Sequence, residues 1–105
     1  MAHPLVVHKN RAPYDVYVGR PSEWGNPYSH KDGTKAQFKV DSVEEAIEEF
    51  KQYLWRAIQR EGRTMLVKLS LLHGKTLGCW CAPGPCHAEV LVAASEYAVR
   101  ELAKS

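Results

Sequence analysis

Three cysteines and one histidine are the residues of this chain whose types and spacing point most directly to chemistry. All three cysteines fall between positions 79 and 86, and a histidine follows directly. Zinc prefers thiolate and imidazole ligands, four at a time and in tetrahedral geometry. We therefore predict a zinc site with four protein ligands: Cys79, Cys81, Cys86 and His87.

Other interpretations of the same cluster stay open. The spacing C-x-C-x4-C-H is not that of a standard zinc finger, and adjacent Cys-His ligands are sterically awkward, so three protein ligands plus a water would also fit. Free cysteines are often simply buried apolar side chains. Cys86, at a helix start beside His87, could instead be a reactive thiol, and Cys81 with Cys86 would then do thiol-redox work.

The strands that could carry this cluster have clear patterns. Asp15–Gly19 is rich in β-branched and aromatic residues and predicts a buried strand, while Leu5–Val7 predicts a short edge strand. Thr76–Cys81 predicts another strand, broken after it by Pro83, Gly84 and Pro85. In a strand, Cys79 and Cys81 would point to the same face.

Helical patterns occupy much of the remaining chain. Ser42 with Glu45 forms a capping box, apolar residues then recur at helical spacing, and Gly62 can close the helix. Residues 64–73 fit either a strand or a second helix ending at Gly74, and we favour the helix. A last helix is predicted from about Cys86 to Lys104.

This order of elements predicts a small α/β fold. Connections this long favour parallel strands, so we expect a Rossmann-like single domain over residues 1–105, with a short, mainly parallel sheet covered by about three helices. The 105 residues are 45% hydrophobic, without an apolar run that could form a membrane span or a secretory signal. The odd number of clustered cysteines argues against a disulfide scaffold. We therefore expect a cytoplasmic protein without a membrane partner.

A long loop is predicted over residues 20–35, just beyond the carboxyl end of the first main strand. In open α/β sheets, ligands bind at that edge. Arg20 could bind a phosphate or carboxylate, Trp24 could stack on a base, and Asn26 could contact a polar group. For Trp24 and Asn26 a structural role is the stronger alternative, and His8 is predicted to be a solvated surface residue. The predicted partner is a nucleotide or another anionic small molecule. Nucleic acid stays open as an alternative partner, although the net charge of +2 gives it no support.

Several blocks together resemble a known family. They are Val16-Tyr17-Val18-Gly19-Arg20, Trp24-Gly25-Asn26-Pro27, Gly33-Thr34-Lys35, and the stretch from Gly74-Lys75 through Cys79-Trp80-Cys81 and Cys86-His87 to Val90-Leu91. In this order and spacing they resemble the phage and bacterial family catalogued as domain of unknown function 4326, over about residues 10 to 95. The family tends to have arginine where Lys35 stands, and Gly-Asp or Ala-Asp where Ala88-Glu89 stands.

The resemblance implies a role for Glu89, because the family keeps an acid after the histidine. Glu89 is thus a candidate catalytic residue, as a proton carrier or as a partner of a metal ligand. Two functions rank nearly equal. One is a small zinc enzyme acting on a nucleotide or nucleic-acid-derived substrate, and the other is a non-catalytic binding module with a structural zinc.

Overall fold

The computed structural model describes residues 5–19, 24–25, 28–29, 38–39, 42–79 and 87–104. They form a small α/β fold in which a short parallel sheet is combined with helices, as the sequence predicts. In chain order the elements are β1 (Val6–His8), β2 (Val16–Tyr17), β3 (Tyr28–Ser29), β4 (Phe38–Lys39), α1 (Val43–Glu61), α2 (Arg63–Ser70), β5 (Leu77–Cys79) and α3 (Ala88–Ala103). None of the helices in this part of the chain is both long and apolar enough to cross a bilayer.

The main sheet has β5 at its centre. β1 and β2 lie on either side of it in the order β1-β5-β2, and both run parallel to it. In the register, His8 stands opposite Cys79, and Tyr17 stands opposite Gly78. The predicted parallel pairing is thus confirmed, and every strand of this sheet ends at the same edge.

The connection from β1 to β2 crosses the central strand. Because β1 and β2 flank β5 and point the same way, residues 9–15 must return across β5 from its carboxyl end to its amino end. Hydrogen bonds fix both ends of this crossing, from Lys9 N–H to Cys79 O (2.9 Å) and from Asp15 N–H to Thr76 O (2.8 Å). The crossing segment covers one face of the sheet.

The helices begin and end close to where local signals predict. The backbone N–H of Glu45 donates to Ser42 Oγ (3.0 Å), and α1 ends at Gly62, whose φ of 59° suits glycine. Residues 63–70 are helical, so the helix interpretation is right and the strand interpretation is wrong. Met65 and Leu69, four residues apart, both face the core.

The apolar core lies between the sheet and the three helices. Leu77 and Cys79 alternate with Gly78 along β5, so their side chains share the face that packs on the helices. Phe50 of α1 and Leu91 of α3 are both essentially buried in the same cluster. This packing fixes the position of the beginning of α3 relative to the end of β5.

Two predicted boundaries change in the structure. Residues 20–35 are predicted to be a loop, but Tyr28–Ser29 forms β3, which pairs in parallel with Phe38–Lys39 in a separate small sheet. The pairing joins positions ten residues apart, for which the local sequence gives no periodic signal. The last helix starts at Ala88 rather than at Cys86, since His87 is in a turn.

Candidate functional site

The carboxyl edge of the main sheet is the candidate site. β1 ends at His8, β5 ends at Cys79, and the backbone beyond β2 continues through Val18, whose N–H donates to Gly78 O (2.9 Å). Continuing the register by one residue sets Val18 opposite Cys79. Edges of this kind, where parallel strands end and a helix begins, are where α/β proteins bind ligands.

His87 connects this edge to the segment that follows β2. Its Nε2 lies 2.8 Å from the carbonyl oxygen of Val18 and 3.0 Å from the carbonyl oxygen of Trp24. Carbonyl oxygens only accept hydrogen bonds, so Nε2 must carry the hydrogen and donate. In the neutral imidazole, Nδ1 is then the nitrogen with the lone pair.

The imidazole of His87 is held rigidly in this position. The side chain is buried, and its ring meets the ring of Phe50 edge-on, with centroids 5.0 Å apart and planes at 81°. The carbonyl of His87 accepts from the N–H groups of Val90 and Leu91, so the same residue starts α3. His87 therefore links the segment after β2 to the beginning of α3.

Cys79 is the second predicted zinc ligand in the described part of the chain. It is 1% exposed and belongs to the apolar core. Val18 is a common neighbour, because it stands opposite Cys79 in the sheet and its carbonyl accepts from His87. Two of the four predicted ligands are thus both next to Val18.

The other two predicted zinc ligands, Cys81 and Cys86, lie outside the described residues. The described chain contains no group of three or more His, Cys, Asp and Glu side chains that could hold a metal ion. Of the predicted ligands, only Cys79 and His87 are among these residues. The zinc prediction is therefore untested and remains a prediction.

Trp24 is the one predicted ligand-binding residue within the described part of the chain. Trp24 is 8% exposed and packs in the apolar core, so its indole has little surface left on which a base could stack. Its contribution to the site is its carbonyl oxygen, which accepts from His87. Arg20 and Asn26 lie outside the described residues.

Glu89 lies in the first turn of α3. Its side chain is half-buried, and it makes no hydrogen bond or ion pair with the described part of the protein. A carboxylate is favourable there because the amino end of a helix carries partial positive charge. Glu89 is thus two residues from His87, and its contribution to the fold is limited to this favourable position at the start of α3.

The structure also adds a residue that sequence reasoning missed. His8 is half-buried at the end of β1, directly opposite Cys79, rather than on the surface. Its Nδ1 accepts a hydrogen bond from the backbone N–H of Asn10 (3.1 Å). The predicted edge strand Leu5–Val7 stops one residue short of it, and a strand extended by one residue would have brought His8 to the same edge.

Comparison with known proteins follows the same blocks of sequence. A family model described as "Domain of unknown function (DUF4326)" matches residues 6–97. The chain belongs to this family. The match covers the parallel sheet and most of α3, and the resemblance seen in the sequence is confirmed.

A phage protein is among the relatives of this family member. The chain is 38% identical over 86 residues to an uncharacterized 12.4 kDa protein from the nrdA-td intergenic region of Enterobacteria phage T4, covering 82% of this chain and 71% of that protein. No solved structure matches the chain. The family and the relative thus show common ancestry, whereas the chemistry of the site depends on its own geometry.

Proposed function

We propose that this protein binds one zinc ion and that the adjoining carboxyl edge of the sheet binds a nucleotide or another anionic small molecule. The single observation that supports both parts is the pair of hydrogen bonds from His87 to the carbonyl oxygens of Val18 and Trp24. The proposed zinc ligands are Cys79, Cys81, Cys86 and His87.

The tautomer of His87 supports the zinc proposal. A histidine that ligates a metal usually donates its other ring N–H to a carboxylate or a backbone carbonyl, which fixes the ring and makes the ligating nitrogen more basic. In His87 that donor is Nε2, so the zinc ligand would be Nδ1. The buried Cys79, which shares Val18 as a neighbour, supplies the first thiolate.

A zinc ion at this position would be structural. Four protein ligands complete the tetrahedral shell and leave no open coordination position. The ion would connect the end of β5 to the beginning of α3, and so hold together the two segments that border the ligand site. It would also explain why all three cysteines lie within eight positions, from the last residue of β5 to the segment before α3.

The proposed anion site combines two groups near the carboxyl edge of the sheet: the amino end of α3 and, from the sequence, the side chain of Arg20. His87 holds the segment after β2 against the beginning of α3, a helix of sixteen residues whose amino end favours negative charge. Arg20 follows Gly19 directly in the sequence and would supply a planar, doubly hydrogen-bonding cation for a phosphate. A nucleotide combines such a phosphate with a base.

Catalysis is the second candidate function, and Glu89 is the observation that favours it. A half-buried carboxylate without a described partner beside a ligand site is suited to move a proton. If the protein is an enzyme, Glu89→Gln will retain nucleotide binding and lose turnover. If it is a binding module, the substitution will change neither.

Zinc is tested by elemental mass spectrometry of protein purified without a metal-affinity tag. About one zinc per chain is expected. His87→Gln is the decisive variant, because the glutamine amide can still donate to Val18 and Trp24 but offers no nitrogen in place of Nδ1. Zinc should be lost or bound at least about tenfold more weakly, whereas His73→Gln, at an exposed histidine, should retain it. Metal-free wild-type protein, or full zinc in His87→Gln, would contradict the proposal.

Ligand binding is tested by calorimetry with nucleoside phosphates and inorganic phosphate, on zinc-loaded protein. Arg20→Gln should weaken binding about tenfold or more, as removal of a charged hydrogen-bonding group does. Arg60→Gln is the matched control, since Arg60 is exposed at the end of α1. Equal affinity in Arg20→Gln and wild type would exclude the arginine from the site, and no binding of any nucleotide would overturn this part of the proposal.

A further inference from the structure

The segment that crosses β5 presents an aromatic surface. The ring of Tyr14 lies over Gly78, on the opposite face of the sheet from the helices, and the side chain is 40% exposed. Tyr17 lies beside it, with ring centroids 6.4 Å apart and planes inclined by 49°. Tyr14 is exposed and Tyr17 is half-buried, so the two adjacent rings form a surface on which a planar group can stack, chiefly on Tyr14.

Positive charge lies beside these rings. The ammonium group of Lys9 is 6.0 Å from the centre of the Tyr17 ring. Arg11 is exposed and forms no ion pair within the described part of the chain. The acid in this stretch, Asp15, uses its carboxylate to accept from the backbone N–H of Thr76 (2.8 Å). The two cations outnumber this one carboxylate, so the stretch carries a net positive charge that favours an anion.

We propose that this crossover face, formed by Lys9, Arg11, Tyr14 and Tyr17, binds single-stranded nucleic acid. Bases would stack on the two tyrosine rings, and phosphates would meet Lys9 and Arg11. Basic groups combined with exposed aromatic rings are how proteins bind single strands without reading a sequence, because every base has a face that can stack. An acidic peptide would use the cations but would have no need of the rings.

The tyrosine rings of the crossover face lie on the other face of the sheet from Cys79, whereas Lys9 adjoins the carboxyl edge, where its N–H donates to Cys79 O. Cys79 points to the helix side of β5, whereas Gly78, under Tyr14, points to the other side. Failure of zinc or nucleotide binding at the carboxyl edge would leave the ring of Tyr14 in place, so a substitution at Tyr14 tests this inference independently of the proposed function.

The test is fluorescence anisotropy of labelled oligothymidine and oligouridine with the full chain. Wild-type protein should bind both, and more weakly as salt rises from about 50 mM to about 200 mM. Tyr14→Leu keeps an apolar cover on Gly78 but removes the stacking ring, and should weaken binding about fivefold or more. Arg11→Gln should weaken binding and lower the slope of log affinity against log salt by about one.

Matched controls lie on α1. Tyr53 is also 40% exposed, and Arg56 is also exposed, so Tyr53→Leu and Arg56→Gln should bind like the wild type. Circular dichroism is used to check the fold of each variant. If Tyr14→Leu does not fold, the binding of Arg11→Gln decides the question, because Arg11 is exposed. The proposal is overturned by absence of binding at low salt, by equal effects of the control variants, or by equal displacement with polyglutamate, which would indicate a general anion surface.

Discussion

Tyr14 lies so close to Gly78 that a larger residue at position 78 would have to displace the tyrosine ring. A Cβ added at Gly78 would come within 2.6 Å of Tyr14 Cγ, which is closer than such contacts occur in proteins. Gly78 is the central residue of the central strand, and the β1–β2 connection has to cross that strand. The glycine is therefore needed because the chain crosses there.

Gly78→Ala should lower the free energy of unfolding by about 1–3 kcal/mol, because the added methyl group must displace an aromatic ring on a closely packed sheet. Urea unfolding followed by circular dichroism measures the change. The control is a double-mutant cycle with Tyr14→Ala. Without the tyrosine ring the methyl group of the alanine at position 78 has room, so Gly78→Ala should then lower the free energy of unfolding by less. The same cost with and without the Tyr14 ring would show that the contact is not the cause.

His87→Ala should lower the free energy of unfolding by about 1–3 kcal/mol, since it leaves the carbonyl oxygens of Val18 and Trp24 without their donor in a buried place. His87→Gln should recover part of this loss. Both are measured by urea unfolding with a chelator present, so that metal binding does not contribute. Equal stability of the alanine and glutamine variants would indicate that packing on Phe50, rather than the hydrogen bonds, matters.

Ser42→Ala should lower the free energy of unfolding by about 1 kcal/mol, because the N–H of Glu45 loses the side-chain oxygen that caps α1. Thermal or urea unfolding gives the value. Ser70→Ala is the control: that hydroxyl only donates back to the carbonyl of Val67 within a helix, and its removal should have little effect. A larger loss at Ser70 than at Ser42 would contradict this account.

Cys79 should resist alkylation in the folded, metal-free protein, because its side chain is 1% exposed within the apolar core. Iodoacetamide labelling with mass-spectrometric mapping, before and after denaturation, measures this for each cysteine. Circular dichroism of the chelated sample shows that the helices persist. Labelling of Cys79 as fast as in denatured protein would contradict the burial and would favour thiol chemistry at this position.

The sequence by itself determined the elements whose signals are local. The cap at Ser42 and the glycine at Gly62 define α1 because they satisfy or release backbone groups within a few residues. The order of strands and helices predicted the parallel sheet, since long connections allow that pairing. The cluster from Cys79 to His87 predicts zinc binding from residue types alone, and that prediction remains untested.

The tertiary structure decided what depends on distant parts of the chain. The hydrogen bond from His87 to Val18 spans 69 positions, and only the fold shows that it fixes the imidazole tautomer. The need for glycine at position 78 is seen only in the fold, where the crossing segment places Tyr14 over it. Trp24 likewise is buried because it joins a core to which the sheet and all three helices contribute residues. Such contacts arise from packing between elements, and no periodicity within a single element encodes them.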